Sequence, residues 1–475
     1  MILGAFFVIF NQTTMTVALP PLMEAFDIKP STGQWLTTGY MLVNGVLIPV
    51  TGFLMKRFST RQLFLAAMFI FLTGTLVSAL APAFYVLLTG RLIQAASTGI
   101  VIPLLMNVVL SLFPPEKRGT AMGTVGLAII FAPAIGPTLA GYILDDFPWQ
   151  VLFYGMIPFV VVIIICAFIF LKNVSETTAS KLDFLSLILS TIGFGGLLYG
   201  FSEAGQEGWS STEVIISLVI GFVTITAFTY RQLRSVEPFL DLKVFKYNMF
   251  SLTTIINCTI TVVMYADMIL LPLYLQNARG FTALESGVLM LPGALLMGLI
   301  SPAIGKVFDR FGVKWLSIIG IAVVLATTYS FTNLTDSISY TTLIVMYAGR
   351  RIGMALFLMP LQTAGLNQLP NSLNAHGTAI SNTARQVAGA IGTSLLVTIM
   401  TTRTKDHLQD MMTSGASGTK QHLVMEASIQ GINDAYFAML VFGLISLVLS
   451  FFLKRVKQAP EESTGTQSQT LATES

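Results

Sequence analysis

Charge is what this sequence has least of. Only 10% of its 475 residues are Asp, Glu, Lys or Arg, against 54% that are apolar. A soluble domain carries about 25% charged residues. A soluble protein of this length could not cover its surface with so few, and the mean hydropathy of +0.76 points the same way. The composition is that of a chain that crosses a membrane many times. Cysteine is nearly absent. Cys166 and Cys258 both lie inside apolar runs, which excludes a disulfide framework and a cysteine zinc site. The three histidines, His376, His407 and His422, fall in or beside polar connections and build no visible metal site. A net charge of +3 is too small to imply nucleic-acid binding. The sequence has no Walker motif, so this chain alone is not an ATP-driven pump. Ser-His-Asp, Cys-His and HExxH arrangements are missing too, so the expectation is a non-enzyme without cofactor or metal.

What is there is a series of apolar runs. A bilayer core of about 30 Å needs roughly 20 apolar residues per helix. Fourteen runs meet that length: 2–22, 34–55, 63–81, 84–112, 120–143, 150–171, 184–203, 213–230, 249–275, 286–304, 315–333, 340–365, 378–401 and 434–453. The fold class is therefore an all-α polytopic membrane protein. One set of alternate connections holds seventeen Lys and Arg, from Lys56, Arg57 and Arg61 on to Lys454, Arg455 and Lys457. The other holds five: Lys29, Arg279, Arg403, Lys405 and Lys420. Basic loops stay inside, so the first set and both termini are expected in the cytoplasm. The first run opens at once with Met-Ile-Leu. It does not read as a cleavable signal peptide, because Asn11, Gln12 and a threonine cluster interrupt its apolar core.

The chain also repeats itself. Gly52-Phe-Leu-Met-Lys56-Arg57-Phe-Ser59-Thr-Arg61 follows the second run, and Gly305-Lys-Val-Phe-Asp309-Arg310-Phe-Gly312-Val-Lys314 follows the tenth. Gly90-Arg91 in run four is mirrored by Gly349-Arg350 in run twelve. Runs one to six then pair with runs nine to fourteen, leaving seven and eight between them. The divisions are a six-helix bundle at 1–172, two inserted helices and a linker at 173–247, a second six-helix bundle at 248–453, and a disordered cytoplasmic tail at 454–475, rich in Ser, Thr, Gln and Glu. Parallel six-helix halves are the plan of one large transporter class.

On these residues the sequence resembles the major facilitator superfamily. It is most similar there to fourteen-helix drug:proton antiporters of the EmrB/QacA type, among them lincomycin-resistance and multidrug exporters. Gly305 to Lys314 matches the family's cytoplasmic turn, while Gly52 to Arg61 has Lys56 for the usual Asp and Ser59 for the usual Gly. Arg91-Leu-Ile-Gln94 resembles the proton-coupling motif, and Ala132-Pro-Ala-Ile-Gly136-Pro137-Thr-Leu-Ala140-Gly141 the antiporter signature. Asn11 stands where the first-helix motif usually has an acid. The resemblance implies a monomer in the cell membrane that exports small-molecule drugs against protons. Export of an endogenous lipid or metabolite is the alternative.

Ionisable groups inside hydrocarbon are costly and default to functional candidates. Of 23 carboxylates, only Asp267 falls well inside a run. Thr253, Ile260, Met264, Leu271 and Tyr274 share its helix face, which is partly polar and so expected to line a cavity. Desolvation there disfavours the charged form and suits a group that loads and releases protons. Asp267 is therefore the expected proton carrier; the other reading is an acid in a wet outer vestibule. Arg91 and Gln94 lie one turn apart. An arginine stays charged, so Arg91 either drives a proton off an approaching acid or ties down backbone carbonyls. Arg350 and Arg351 point about 100° apart, and Arg350 is preferred as the mirror of Arg91. Arg385 is expected to snorkel to the cytoplasm. Gating falls to Gly305, Asp309, Arg310, Gly312 and Arg57, with Asp309 capping a neighbouring helix. The resemblance implies that the tight seam of Gly136, Pro137 and Gly141 limits leakage. Lys56 cannot cap, so the second turn is expected to matter more than the first. Substrate contacts are expected from Asn11, Gln12, Tyr40, Asn44, Phe131, Met264, Tyr265, Met359 and Gln362. One proton moving inward down about 100 mV gains about 2.3 kcal/mol. Exchange for a monovalent cation cancels that term, so neutral or weakly basic apolar drugs are expected over dications.

Overall fold

Segments that must lie in lipid have only their own backbone groups to satisfy, and the described residues are helical nearly throughout. The computed structural model describes the chain apart from Lys29, Gln34, 175–182, 236–237, 415–418 and 455–475. The expected tail thus lies outside the described residues, save Lys454. The long helices are α1 (Ile2–Phe26), α2 (Trp35–Arg57), α3 (Thr60–Ala79), α4 (Phe84–Leu112), α5 (Arg118–Asp146), α6 (Val151–Phe170) and α7 (Phe184–Glu207). They continue as α8 (Thr212–Arg234), α9 (Asn248–Leu273), α10 (Ala283–Phe311), α11 (Val313–Phe331), α12 (Tyr340–Asn367), α13 (Asn374–Thr413) and α14 (Lys420–Ser450).

Twelve of these helices are long and apolar enough to cross a membrane, thirteen with α1 counted as one bent span. Fourteen runs were expected, and α13 is the difference. It is 40 residues long, far beyond the run 378–401. Ser381, Asn382, Thr383, Arg385 and Gln386 make its first third polar, and Arg403, Lys405, Asp406 and Asp410 its end. Helix α1 bends by 50° between Met15 and Val17. Pro20 and Pro21 remove the backbone donors that would serve the carbonyls four positions earlier, which is where the bend falls.

Side-chain caps set several starts. Ser59 with Gln62 and Thr282 with Glu285 form capping boxes at the heads of α3 and α10. Gly312 ends α10 with φ 83°, a left-handed conformation that lets α11 begin at the next residue. Helices α7 and α8 pack on each other. They are tied by Asp183, which caps α7 and meets Arg231 of α8 at 2.9 Å.

Glycine sets how the helices cross. A Cβ on Gly74 of α3 would stand 2.7 Å from the carbonyl oxygen of Gly90 on α4. The same holds at 2.7 Å for Gly320 of α11 and Gly353 of α12. Helices three and four of each repeat therefore cross on a glycine pair, as small residues allow when apolar burial gives no preference between helix and lipid. One apolar cluster has all its buried members between Met249 and Leu453, and another between Ile9 and Met156. A third joins the first repeat to Phe228, Phe239, Phe250 and Leu366.

Two seams run between the repeats. In one, α5 packs along α10. Gly119 and Gly305 touch backbone to backbone at its lower end, the end that carries the basic loops. Gly123 follows, where a Cβ would lie 2.5 Å from the Ser301 carbonyl, and then Gly298 against the ring of Phe131. At the upper end the helices separate, and a Cβ on Gly287 would reach only Thr138, at 3.8 Å. In the other seam α2 meets α13, with Gly52 facing Ala375 and Ala379.

Candidate functional site

Asp267 is carried by α9 and Arg350 by α12, and the packing of the two helices turns both inward. Arg350 Nη1 lies 2.9 Å from Asp267 Oδ1, with neither side chain exposed. The hydroxyl of Tyr436, from α14, donates to the same oxygen at 3.0 Å. Oδ2 of Asp267 has no hydrogen-bond partner among the described residues. The Tyr436 ring stacks on Phe331 of α11 at 5.2 Å, and the Arg350 guanidinium lies 5.5 Å from both ring centres. Four helices thus enclose one acid, one fixed cation and one phenol, with aromatic faces at contact range of the cation.

This corrects the expectation of a cavity-lining face. Thr253, Ile260, Leu271 and Tyr274 are buried with Asp267, and only Met264 is partly exposed. The acid sits inside packed helices because Arg350 supplies the counter-charge that makes burial tolerable. The alternative of a wet vestibule fails on the same burial. Arg351, as its register demands, points elsewhere and lies over the Tyr347 ring at 4.6 Å.

The first repeat holds a related cluster without an acid. Arg91 Nη1 on α4 donates to the Asn11 side-chain oxygen on α1 and to Gln94 Oε1 at 3.0 Å. Gln94 Nε2 passes the chain on to Thr75 of α3 at 2.9 Å. The Arg91 guanidinium lies 4.4 Å above the Tyr40 ring, whose hydroxyl bonds Thr98. Of the two readings of Arg91, the structure contains a fork onto side chains, with a longer contact to the Asn11 carbonyl at 3.4 Å. In both repeats an arginine of the fourth helix meets a polar side chain of the first.

The mirror is displaced. Arg91 comes one residue after the crossing glycine Gly90, whereas Arg350 comes three before Gly353. The crossing partner of Arg350 is therefore Gly353 and not the adjacent Gly349. Four positions of helix are about 6 Å, so the Asp267 pair lies about one turn nearer the end opposite the basic loops.

The candidate substrate contacts do not gather on one open surface. Asn11 and Tyr40 are buried beside Arg91, and Asn44 is buried near Gly99. Gln362 accepts from Arg385 Nη1 at 3.0 Å and donates to Met106 Sδ at 3.0 Å. Arg385 therefore points into the protein, which corrects the expectation that it snorkels; Gln362 gives it an acceptor there. Tyr265 donates to Gln386 at 3.1 Å. Met359 is buried against Gly126, Phe131 packs on Gly298, and Gln12 is half-buried. Only Tyr265, Met264, Phe131 and Gln12 keep partial exposure.

At the basic end, Asp309 accepts from the backbone N–H of Gly119 at 2.8 Å and of Thr120 at 2.9 Å, and from the Thr120 hydroxyl at 2.6 Å. Its carboxylate caps the first turn of α5, where the helix dipole favours an anion. Arg310 turns over the Phe311 ring at 5.3 Å, and Arg57 is exposed. Arg118 at the head of α5 bonds Asn367 at the end of α12, at 3.1 Å. In the α5 signature, Gly136 presses on Thr13 of α1, while Pro137 and Gly141 line a small gap with Val17, Thr138, Leu284 and Gly287. Tyr436 escaped the sequence reading. Its one signal was a phenol at the start of the last apolar run, which needs a hydrogen-bond partner when buried.

The profile of the Major Facilitator Superfamily matches residues 1–393. The chain belongs to this superfamily. It is 48% identical to the uncharacterized MFS-type transporter YhcA of Bacillus subtilis, over 96% of this chain and 92% of that one. It is 43% identical to the lincomycin resistance protein LmrB of the same organism, over 96% and 95%. Among solved structures it superposes on the human organic anion transporter MFSD10 with a TM-score of 0.65, at 14% identity over 94% of this chain and 97% of that one. That likeness gives the facilitator fold. Membership makes the protein a transporter of small molecules in a membrane, not an enzyme.

Proposed function

We propose that this transporter is a proton-coupled drug exporter of the cell membrane, working by alternating access as a monomer with fourteen spans. Two six-helix halves flank the α7–α8 pair, α13 supplies the span that composition alone does not count, and both termini face the cytoplasm. Its cargo is a neutral or weakly basic apolar drug, and Asp267 carries the proton.

The observation that carries this reading is the buried ion pair of Asp267 and Arg350. An arginine cannot give up its charge in a protein. A proton arriving on Asp267 therefore leaves Arg350 uncompensated, and that is tolerated only if α9 and α12 rearrange. Proton occupancy becomes a helix-packing signal. The pair is about one turn nearer the outer end than Arg91, where a proton from outside arrives first. The Asp309 cap on α5 holds the cytoplasmic seam shut meanwhile. The Arg91 cluster offers a cation no acid: Asn11 is held by Arg91, a positive charge. Similarity to a lincomycin resistance protein supports the cargo class.

Purified protein in proteoliposomes tests the reading. An imposed pH gradient should drive lincomycin transport in the wild type. Transport of equal rate with and without the gradient would sink it.

A further inference from the structure

Asp267 makes both of its contacts through one oxygen. Arg350 Nη1 at 2.9 Å and the Tyr436 hydroxyl at 3.0 Å converge on Oδ1, and Oδ2 has no hydrogen-bond partner among the described residues. Tyr436 is fully buried, and its ring is fixed by the stack on Phe331. The stacked ring holds the hydroxyl at the Asp267–Arg350 pair. The remaining ionisable neighbours are few. Arg350 meets the acid from α12, Tyr347 and Arg351 on the same helix lie within its electrostatic reach, and α14 contributes Tyr436. The residue facing the pair from α11 is uncharged Phe331. Arg385 of α13 is in electrostatic reach of Tyr265 and Cys258 on α9.

We infer that Tyr436 is a positioning residue of the proton site: it pins Oδ1 of Asp267, leaves Oδ2 as the atom that takes the proton, and sets the pH at which loading occurs. The inference rests on Asp267 being the proton carrier. The step is a simple transfer. A proton adds to Oδ2, the carboxylate becomes a neutral acid, and Oδ1 remains the acceptor of the Tyr436 hydroxyl. Hydrogen bonds to charged acceptors are roughly twice as strong as neutral ones. The Tyr436 bond therefore holds the charged form more firmly than the neutral form. Without it, loading should begin at a more alkaline pH.

Infrared titration of the purified full-length protein tests this, with Tyr436→Phe keeping the ring and removing only the hydroxyl. The readout is the carboxylic C=O band that Asp267→Asn abolishes. In Tyr436→Phe its midpoint should rise by about one pH unit, a tenfold change equal to about 1.4 kcal/mol. A midpoint equal to the wild type's overturns the inference. If the variant does not fold, the wild type decides. Its Asp267 band should lie at the frequency of a hydrogen-bonded acid carbonyl, and a free-carbonyl frequency overturns the inference. If Asp267→Asn removes no band and titrations match, the proton-carrier reading itself has failed instead.

Discussion

Asp267 and Arg350 meet at 2.9 Å with no exposure on either side chain, and the hydroxyl of Tyr436 shares the same carboxylate oxygen. In the other repeat, Arg91 meets Asn11. The two halves thus hold similar arginines with different partners, one titratable and one not. Under the proposed mechanism this asymmetry puts the proton chemistry at Asp267 and leaves Arg91 as a fixed charge.

Removing only the acid should be worse for the protein than removing the pair. Asp267→Asn strands a buried guanidinium, and breaking a buried pair costs about 3–5 kcal/mol. Asp267→Asn with Arg350→Gln removes both charges and should recover a large part of that loss. Thermal melts of the three proteins in one detergent check this. Equal melting of single and double variants would show that the pair contributes no coupling.

The Asp309 cap should matter more than its sequence counterpart Lys56. Three donors of α5 converge on one carboxylate, and bonds to charged groups contribute about 1.5–3 kcal/mol each. Asp309→Ala should weaken the cytoplasmic seam and cut transport at least about tenfold. Lys56→Ala should leave most of it. The reverse order in a transport assay would place the working latch on the other turn.

Steric closure of the α5–α10 seam should be position-dependent. Gly305 touches the Gly119 backbone, so Gly305→Ala should hold the cytoplasmic end apart. Gly287 has only Thr138 at 3.8 Å, so Gly287→Ala should be tolerated. Cysteine labelling from the cytoplasmic side, at Ser301→Cys, reads the difference. Labelling should rise in the Gly305 variant and stay low in the Gly287 variant.

Cargo charge should discriminate through Asn11. With Arg91 beside it and no acid, a dication finds repulsion, and exchange for one proton leaves it without a favourable voltage contribution. Neutral and monovalent drugs should be exported and dications not. Asn11→Asp, which gives Arg91 a counter-charge, should improve monovalent cations relative to neutral drugs. Strong export of a dication by the wild type would contradict this.

Much of this architecture can be read from the sequence, for physical reasons. Long apolar runs in lipid have little choice but helix, so the positions of α1 to α12 follow the runs closely. Asp267 stands out because a carboxylate in an apolar run is expensive. The pairing does not stand out: Tyr436 lies 169 residues from Asp267, and which faces meet depends on helix rotation. Side chains taken for cavity contacts are occupied by arginines: the Tyr40 ring lies under Arg91 and Gln362 accepts from Arg385. The polar first third of α13 hides a helix from a hydropathy count, since residues such as Arg385 and Gln386 answer to other helices and not to lipid.

Drug-induced proton release from the purified protein is the most direct test of the central claim. Unbuffered protein at a pH where the site is loaded receives lincomycin while a pH indicator follows the solution. The wild type should release protons on drug addition, about one per molecule at saturation, as one titrating carboxylate requires. Asp267→Asn should bind drug and release none. Equal release from the wild type and Asp267→Asn would contradict the account.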